Sequence, residues 1–268
     1  MSRVTQVQNI ARAGYLARAT VYFLIGYIAL TTGEGSGATD ILDRIEDMPG
    51  GTLLLALTGI GLFGYGIFRL YGAAIDIEGG GDGAKGIVKR LGHVASGLGH
   101  LFLAFVAAKS VFGGADGGSS GGGGQEQAAS MILGFPGGGI LLALIGLCFV
   151  GAGVEQGIKA YTAKFMKLLD ADAPGFVEYL GRAGFAARAV VFLAIGWFTV
   201  KAALAEQGSD VRGVGGAIAS LQQHGWLFTL VALGFLLFGI FSLCMARYRT
   251  IRNEDVIERL KRAAHKRT

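Results

Sequence analysis

Charge is what this sequence has least of. Only 16% of its 268 residues are Asp, Glu, Lys or Arg, against roughly 25% in a soluble domain, and those few are segregated. Uncharged windows run from Met48 to Phe68, Gln127 to Val154 and Gly213 to Ala246. Roughly 20 apolar residues cross a hydrocarbon core of about 30 Å. Repeated windows of this kind exclude a soluble globular domain and predict an integral membrane protein. Cysteine is nearly absent as well. Cys148 and Cys244 both fall in spans, one near mid-span and one near an end, so no disulfide is expected and packing is their assigned role.

Chemistry-bearing patterns are missing too. No nucleophile–base pair, metal-ligand cluster or Walker sequence is present, so no catalytic residue, metal or cofactor is assigned. The stretch GGGDGAKG from Gly79 to Gly86 lacks both the GK[ST] ending and the preceding strand of a phosphate loop. His93 and His100 share one helical face but lie ~10 Å apart along the axis. The remaining candidate, His224, sits at the opposite membrane face, which argues against bis-histidine haem. Polar contacts at the interface are expected for His93, and an interhelical hydrogen bond for His100.

What the chain has instead is glycine, 47 residues of it, and repetition. RAGYLARATVYFLIG from Arg12 to Gly26 returns as RAGFAARAVVFLAIG from Arg182 to Gly196, and more loosely as RLGHVASGLGHLFLA from Arg90 to Ala104. Each copy is followed by a glycine-studded stretch: PGGTLLLALTGIGLFGYG from Pro49, PGGGILLALIGLCFVGAG from Pro136 and HGWLFTLVALGFLLFGIF from His224. Six spans follow, at about 14–32, 52–74, 91–112, 137–156, 184–204 and 226–246. The first is not read as a cleaved signal peptide, because Arg18 interrupts it and the same segment recurs internally. The repeat unit is a helical hairpin, giving repeats at 1–78, 79–160 and 161–246 and a basic tail at 247–268. ILDRIEDM, AASMILGF and AIASLQQH, which precede the return helices, are expected to be short amphipathic helices lying at the outer surface. The segment from Phe112 to Gln127 reads as a flexible outer linker, and 251–264 as a basic helix able to lie on anionic lipid or meet a partner.

Lys and Arg set the orientation. Arg3, Arg12, Lys85, Lys89, Arg90, Lys159, Lys164, Lys167, Arg182 and the tail from Arg247 onward fall on one side. The opposite connections are acidic or neutral. Both termini are therefore expected in the cytoplasm. All three hairpins start on the same side, so the repeats are parallel, and a pseudo-threefold arrangement is the simplest one. The fold class is all-α: a polytopic membrane protein with six transmembrane helices.

The RxGxxAR helix opening, the PxG start of the return helices and the ARYR ending from Ala246 to Arg249 resemble the DUF1206 family of bacterial membrane proteins, over roughly residues 8–250. The resemblance implies three pairs of transmembrane helices in the bacterial cytoplasmic (inner) membrane, and no activity. The middle copy departs from the pattern: Ser96 stands where Arg18 and Arg188 stand.

Small residues let helices approach closely in lipid. Gly59, Gly146 and Gly234 align, as do Gly64, Gly151 and Gly239, and with Gly153 and Gly157 they are expected to form the packing face of the return helices. Arg12 and Arg182 are expected at lipid phosphate. Arg18 and Arg188 lie deeper, within snorkelling reach, and Glu155 is the nearest internal acid to pair with them. A non-enzymatic membrane module that organises lipid, with anionic headgroups as partners, or that assists a partner protein or homo-oligomer, is the leading reading. A channel or transporter along the pseudo-threefold axis is the alternative, and a lipid-acting enzyme a third. The basic residues lie along the membrane face, so nucleic acid is not an expected partner.

Overall fold

The computed structural model describes residues 3–35, 38–46, 50–76, 81, 83–113, 129–207, 211–212 and 214–250. Eight α-helices are delimited among them: α1 (Arg3–Thr32), α2 (Ala38–Glu46), α3 (Gly51–Ala74), α4 (Ala84–Gly113), α5 (Gly138–Thr162), α6 (Phe176–Ala205), α7 (Val214–Ser220) and α8 (Gly225–Tyr248). A 3₁₀ turn spans Lys164–Leu168, and residues 129–133 are also helical. The linker at 114–128 and the tail at 251–268 lie outside the described residues. α1, α3, α4, α5, α6 and α8 are long and apolar enough to cross a membrane.

Two return helices begin at the same elbow. Gly50 and Gly137 have φ of 75° and 80°, the left-handed region that disfavours a Cβ. The next residues, Gly51 and Gly138, press so closely on the carbonyls of Ile45 and Ile132 that a Cβ would collide with them. The glycine pair is thus a steric requirement for turning the chain back into the bundle.

The long helices pack in the order α4–α3–α1–α8–α6–α5. Leu62 on α3 and Val191 on α6 are three steps apart in this row, yet both belong to one buried cluster. The row therefore curls into a ring, with the pseudo-threefold order expected of parallel repeats. One seam of the ring is open. α1 packs on α3 and α6 on α8 within their hairpins, whereas α4 and α5, the middle pair, pack on α3 and α6 instead of on each other.

The axis is filled by side chains. Val21, Ile25, Leu62, Val191, Ile195 and Phe235 belong to one buried cluster. That cluster also takes in Ile41, Leu42 and Ile45 of α2 and Ala217 and Ile218 of α7, all with no exposed surface. The short helices therefore correct the expectation of surface-lying segments: α2 and α7 plug the end of the bundle at the elbows. The third segment is tucked in too, with Ala129 packing beside Leu142, Ala202 and Val211. The plug is favoured because the helix ends would otherwise leave Ala29, Leu55 and Ala107 facing an open mouth.

The glycine face also needs correction. Gly66 meets Leu101, Gly153 meets Leu193 and Gly239 meets Phe23. Leu101, Leu193 and Phe23 occupy matching positions of the three outward helices, so Gly66, Gly153 and Gly239 are the true equivalents. The third return helix is shifted by two residues from the Gly59–Gly146–Gly234 alignment. Gly59 and Gly146 face α4 and α6, toward Ala107 and Gly196, whereas Gly234 faces Ala187 within its own hairpin, as Gly61 faces Ala17. Gly151 is exposed with open space where a Cβ would stand, and Gly64 is half-buried. Gly157 makes only an ordinary contact with Ala189.

Candidate functional site

Opposite the elbows, the bundle end holding the start of α1 and the end of α8 is rich in arginine. In the corrected register, Arg18, Ser96 and Arg188 occupy one position of the outward helices, and Arg69, Gln156 and Ser242 one position of the return helices. These six positions form a polar layer through an otherwise apolar bundle.

Arg18 is 8% exposed. Its Nε donates to Ser242 Oγ on α8 at 3.1 Å and its Nη1 to the Tyr65 hydroxyl on α3 at 3.1 Å. Ser242 Oγ in turn donates to the Phe238 carbonyl at 2.8 Å. The guanidinium carbon lies 4.6 Å from the Tyr15 ring centroid and 4.9 Å from that of Phe238. Arg188 is caged by rings alone, at 4.9 Å from Phe238, 5.1 Å from Phe192 and 5.3 Å from Tyr22. Each such contact contributes about 0.5–2 kcal/mol, which holds the side chain without using its hydrogen-bond donors. The Nε atoms of Arg12, Arg69, Arg188 and Arg249 are all buried and without a hydrogen-bond partner.

Arg249 arrives by a separate device. Asp170 N–H donates to the Tyr248 carbonyl at 2.7 Å and Thr250 N–H to the Leu168 carbonyl at 3.0 Å, around a bridge between Leu169 and Arg249. This pins the end of α8 to the turn after α5. The Arg249 guanidinium then sits 5.8 Å from Tyr15 and 5.7 Å from Phe68, with Nε and Nη1 both unpartnered. Tyr65 lies within electrostatic reach of Arg18, Arg69, Arg188 and Arg249 at once.

No carboxylate among the described residues pairs with these four arginines. Glu155, expected as their counter-charge, is half-exposed on α5 and pairs with Lys159 at 2.8 Å. It is exposed although its position on the return helix matches Phe68 and Phe241, which are buried in the other two hairpins, since the middle hairpin does not close over it. Arg182 uses its donors within the protein: Nη2 pairs with Glu178 at 2.7 Å and Nη1 caps the Ala160 and Tyr161 carbonyls at the end of α5. His100 bonds within its own helix, through Nδ1 and the Ser96 carbonyl at 2.6 Å, and its ring lies edge-on to Tyr65 at 4.6 Å. His93 is buried. Cys148 is exposed rather than packed, and both cysteines are free. Arg69, Gln156, Ser242 and Arg249 escaped the sequence reading, since a single polar residue near a span end looks like an interface anchor. Superposing the return helices two residues differently would have aligned three of them.

Buried guanidiniums with unused donors, unpaired with any carboxylate among the described residues, are suited to holding an anion. The fold defines a polytopic helical membrane protein with a basic layer at one end. The chain belongs to the family described as Domain of Unknown Function (DUF1206), whose model matches residues 13–76, 91–163 and 183–249, one segment per hairpin. It is 34% identical over 266 residues to the Bacillus subtilis (strain 168) protein "Uncharacterized protein YxxB", covering 93% of this chain and 95% of that one. No solved structure matches.

Proposed function

We propose that this protein is a non-enzymatic membrane module that holds the anionic headgroup of a lipid in its arginine layer. The carrying observation is the convergence of Arg18, Arg188 and Arg249 on the rings of Tyr15 and Phe238, with no carboxylate paired to them among the described residues and with buried Nε donors unpartnered on two of the three. Buried charges without partners are strongly unfavourable, and a phosphate supplies the missing acceptors in the geometry a guanidinium fits best. The filled axis weighs against a conduit through the bundle, and two open grooves of about 320 and 360 Å³ lie at its edges. The positive-inside distribution of Lys and Arg supports a cytoplasmic basic end, with both termini in the cytoplasm of a bacterial inner membrane. There the layer meets the leaflet richest in anionic lipid.

Lipid retained through gentle detergent extraction, weighed by native mass spectrometry, tests this. The parent is expected to carry phosphatidylglycerol, and Arg18→Gln with Arg188→Gln to lose about tenfold of it, as loss of charged hydrogen bonds implies. Equal retention by parent and variant would sink the reading. A reporter fused after Thr268 should be active in the cytoplasm, and one inserted at Ser120 outside.

A further inference from the structure

The open seam between α4 and α5 has a residue-level cause. In the closed hairpins, Arg18 braces Tyr65 and Arg188 braces Phe238, and Gly14 and Gly184 pack directly on Tyr65 and Phe238. At the matching middle positions stand Ser96, Ala152 and Gly92, and the last has open space around it. Gly99 replaces the core residues Val21 and Val191, and Glu155 replaces Phe68 and Phe241. Near the arginine layer the side chains that close the other hairpins are cut short or turned polar, whereas toward the elbows Leu103 and Phe149 stay large and pack on the core. The result is a slot walled by small residues, between helices whose spans are only 22% buried against 44–56% for the other four.

Resting on the headgroup reading above, we infer that this slot is the seat of a diacyl anionic phospholipid, with its acyl chains between α4 and α5 and its phosphate at the inner end of the slot. Two groups mark that end. Gln156 is 7% exposed, with its amide oxygen an unmet acceptor that a hydroxyl of the headgroup would satisfy. Its neighbour Gly157 faces Ala189, which puts Gln156 level with Arg188. These two residues occupy the positions that Ser242 and Arg18 hold where they bond at 3.1 Å, yet Arg188 Nε is also unpartnered. His100 of α4 lies within electrostatic reach of Arg18, Arg69 and Arg188, so the α4 wall borders the same layer. Glu155 at the rim is neutralised by Lys159. An apolar slot ending in surplus positive charge is complementary to a molecule that is apolar along its length and negative at one end. A free phosphate would fill the charge and leave the slot empty, and a second helix would fill the slot and leave the charge unmet.

Closing the slot tests the inference in the full-length protein. Cys148 and Ala95 occupy the repeat positions of Gly61 and Ala17, which meet in the first hairpin, so a disulfide from Cys148 to Ala95→Cys requires the slot to close. Oxidised, this variant is expected to retain about tenfold less phosphatidylglycerol from nanodiscs than when reduced, while the parent is indifferent to oxidation. A second variant, Gly99→Trp, fills the slot without a crosslink and should show the same loss. Glycerol phosphate, which has the anion and no chains, should bind parent and both blocked variants equally weakly. Full phosphatidylglycerol retention in the oxidised variant or in Gly99→Trp overturns the inference. If those variants retain lipid while Arg188→Gln does not, the headgroup site stands without the slot. If Arg188→Gln also retains it, the arginine reading has failed. A parent that is dimeric and becomes monomeric in Gly99→Trp, with lipid content unchanged, assigns the seam to a second copy and likewise overturns the inference.

Discussion

The first and third hairpins of this protein are closed, and the second is open, although all three are written from one repeat. In the closed pair, a glycine of the return helix meets an alanine of the outward helix, as Gly61 meets Ala17 and Gly234 meets Ala187, and an arginine braces an aromatic ring one turn further on. The second hairpin keeps the helices, the elbow and the contacts to its neighbours but has Cys148, Ser96 and Ala152 at those places. Contacts between successive hairpins are retained at all three sites, through Gly66, Gly153 and Gly239. The difference teaches that the ring is held together by packing between repeats, and that closure within a repeat is an added and separable feature.

The largest test of that contrast is steric. Gly234→Leu drives a side chain into Ala187, and Gly239→Leu into the backbone of Phe23. Each should destabilise the detergent-solubilised protein by about 3 kcal/mol or more, at the upper end of overpacking effects. Gly151→Leu, on the open side, should melt within about 0.5 kcal/mol of the parent. A matching collapse of Gly151→Leu would mean that the seam is closed.

Next in size is the brace. Arg18→Ala removes two hydrogen bonds from a charged donor and takes from Tyr65 and Ser242 the group their hydroxyl oxygens accept from, for a loss of about 2–3 kcal/mol. Ser96→Ala, its counterpart in the open hairpin, should change thermal stability by less than about 0.5 kcal/mol. Arg12→Ala should fall between the two. Ser242→Ala sharpens the comparison further, since it removes one partner of Arg18 and should cost about 1 kcal/mol in the same melts.

The smallest effect concerns Glu155. Its pairing with Lys159 is a half-exposed i,i+4 contact, so Glu155→Gln should shift stability by under about 0.5 kcal/mol. A double-mutant cycle with Arg188→Ala should be additive, because no contact joins the two residues. Coupling above about 0.5 kcal/mol would mean that Glu155 turns inward and that the second hairpin closes like the others.

Six spans, their pairing into three units and their common direction were legible in the chain, because hydropathy and the repeated RAG and PGG openings are local features. The arginine layer was half legible. Arg18, Arg188 and the exception at Ser96 stood out by position in the repeat, whereas Arg69 and Gln156 are single residues in return helices whose register was set two residues off. Gly59, Gly146 and Gly234 align by eye, but helix packing depends on which face a glycine presents, and that is fixed by the neighbouring helix. Glu155 looked like the natural partner of the arginines because sequence distance from a span end says nothing about azimuth around the helix.

The sequence by itself determined that this chain lies in a membrane as three parallel pairs of helices, since a bilayer admits few ways to satisfy the backbone of long uncharged segments. Only the tertiary structure decided that α2 and α7 plug the bundle, that α4 and α5 stand apart, and that the arginines of different hairpins converge with no carboxylate paired to them among the described residues. Those outcomes depend on side-chain volumes summed across helices far apart in the chain. No single stretch of sequence contains both sides of such a contact.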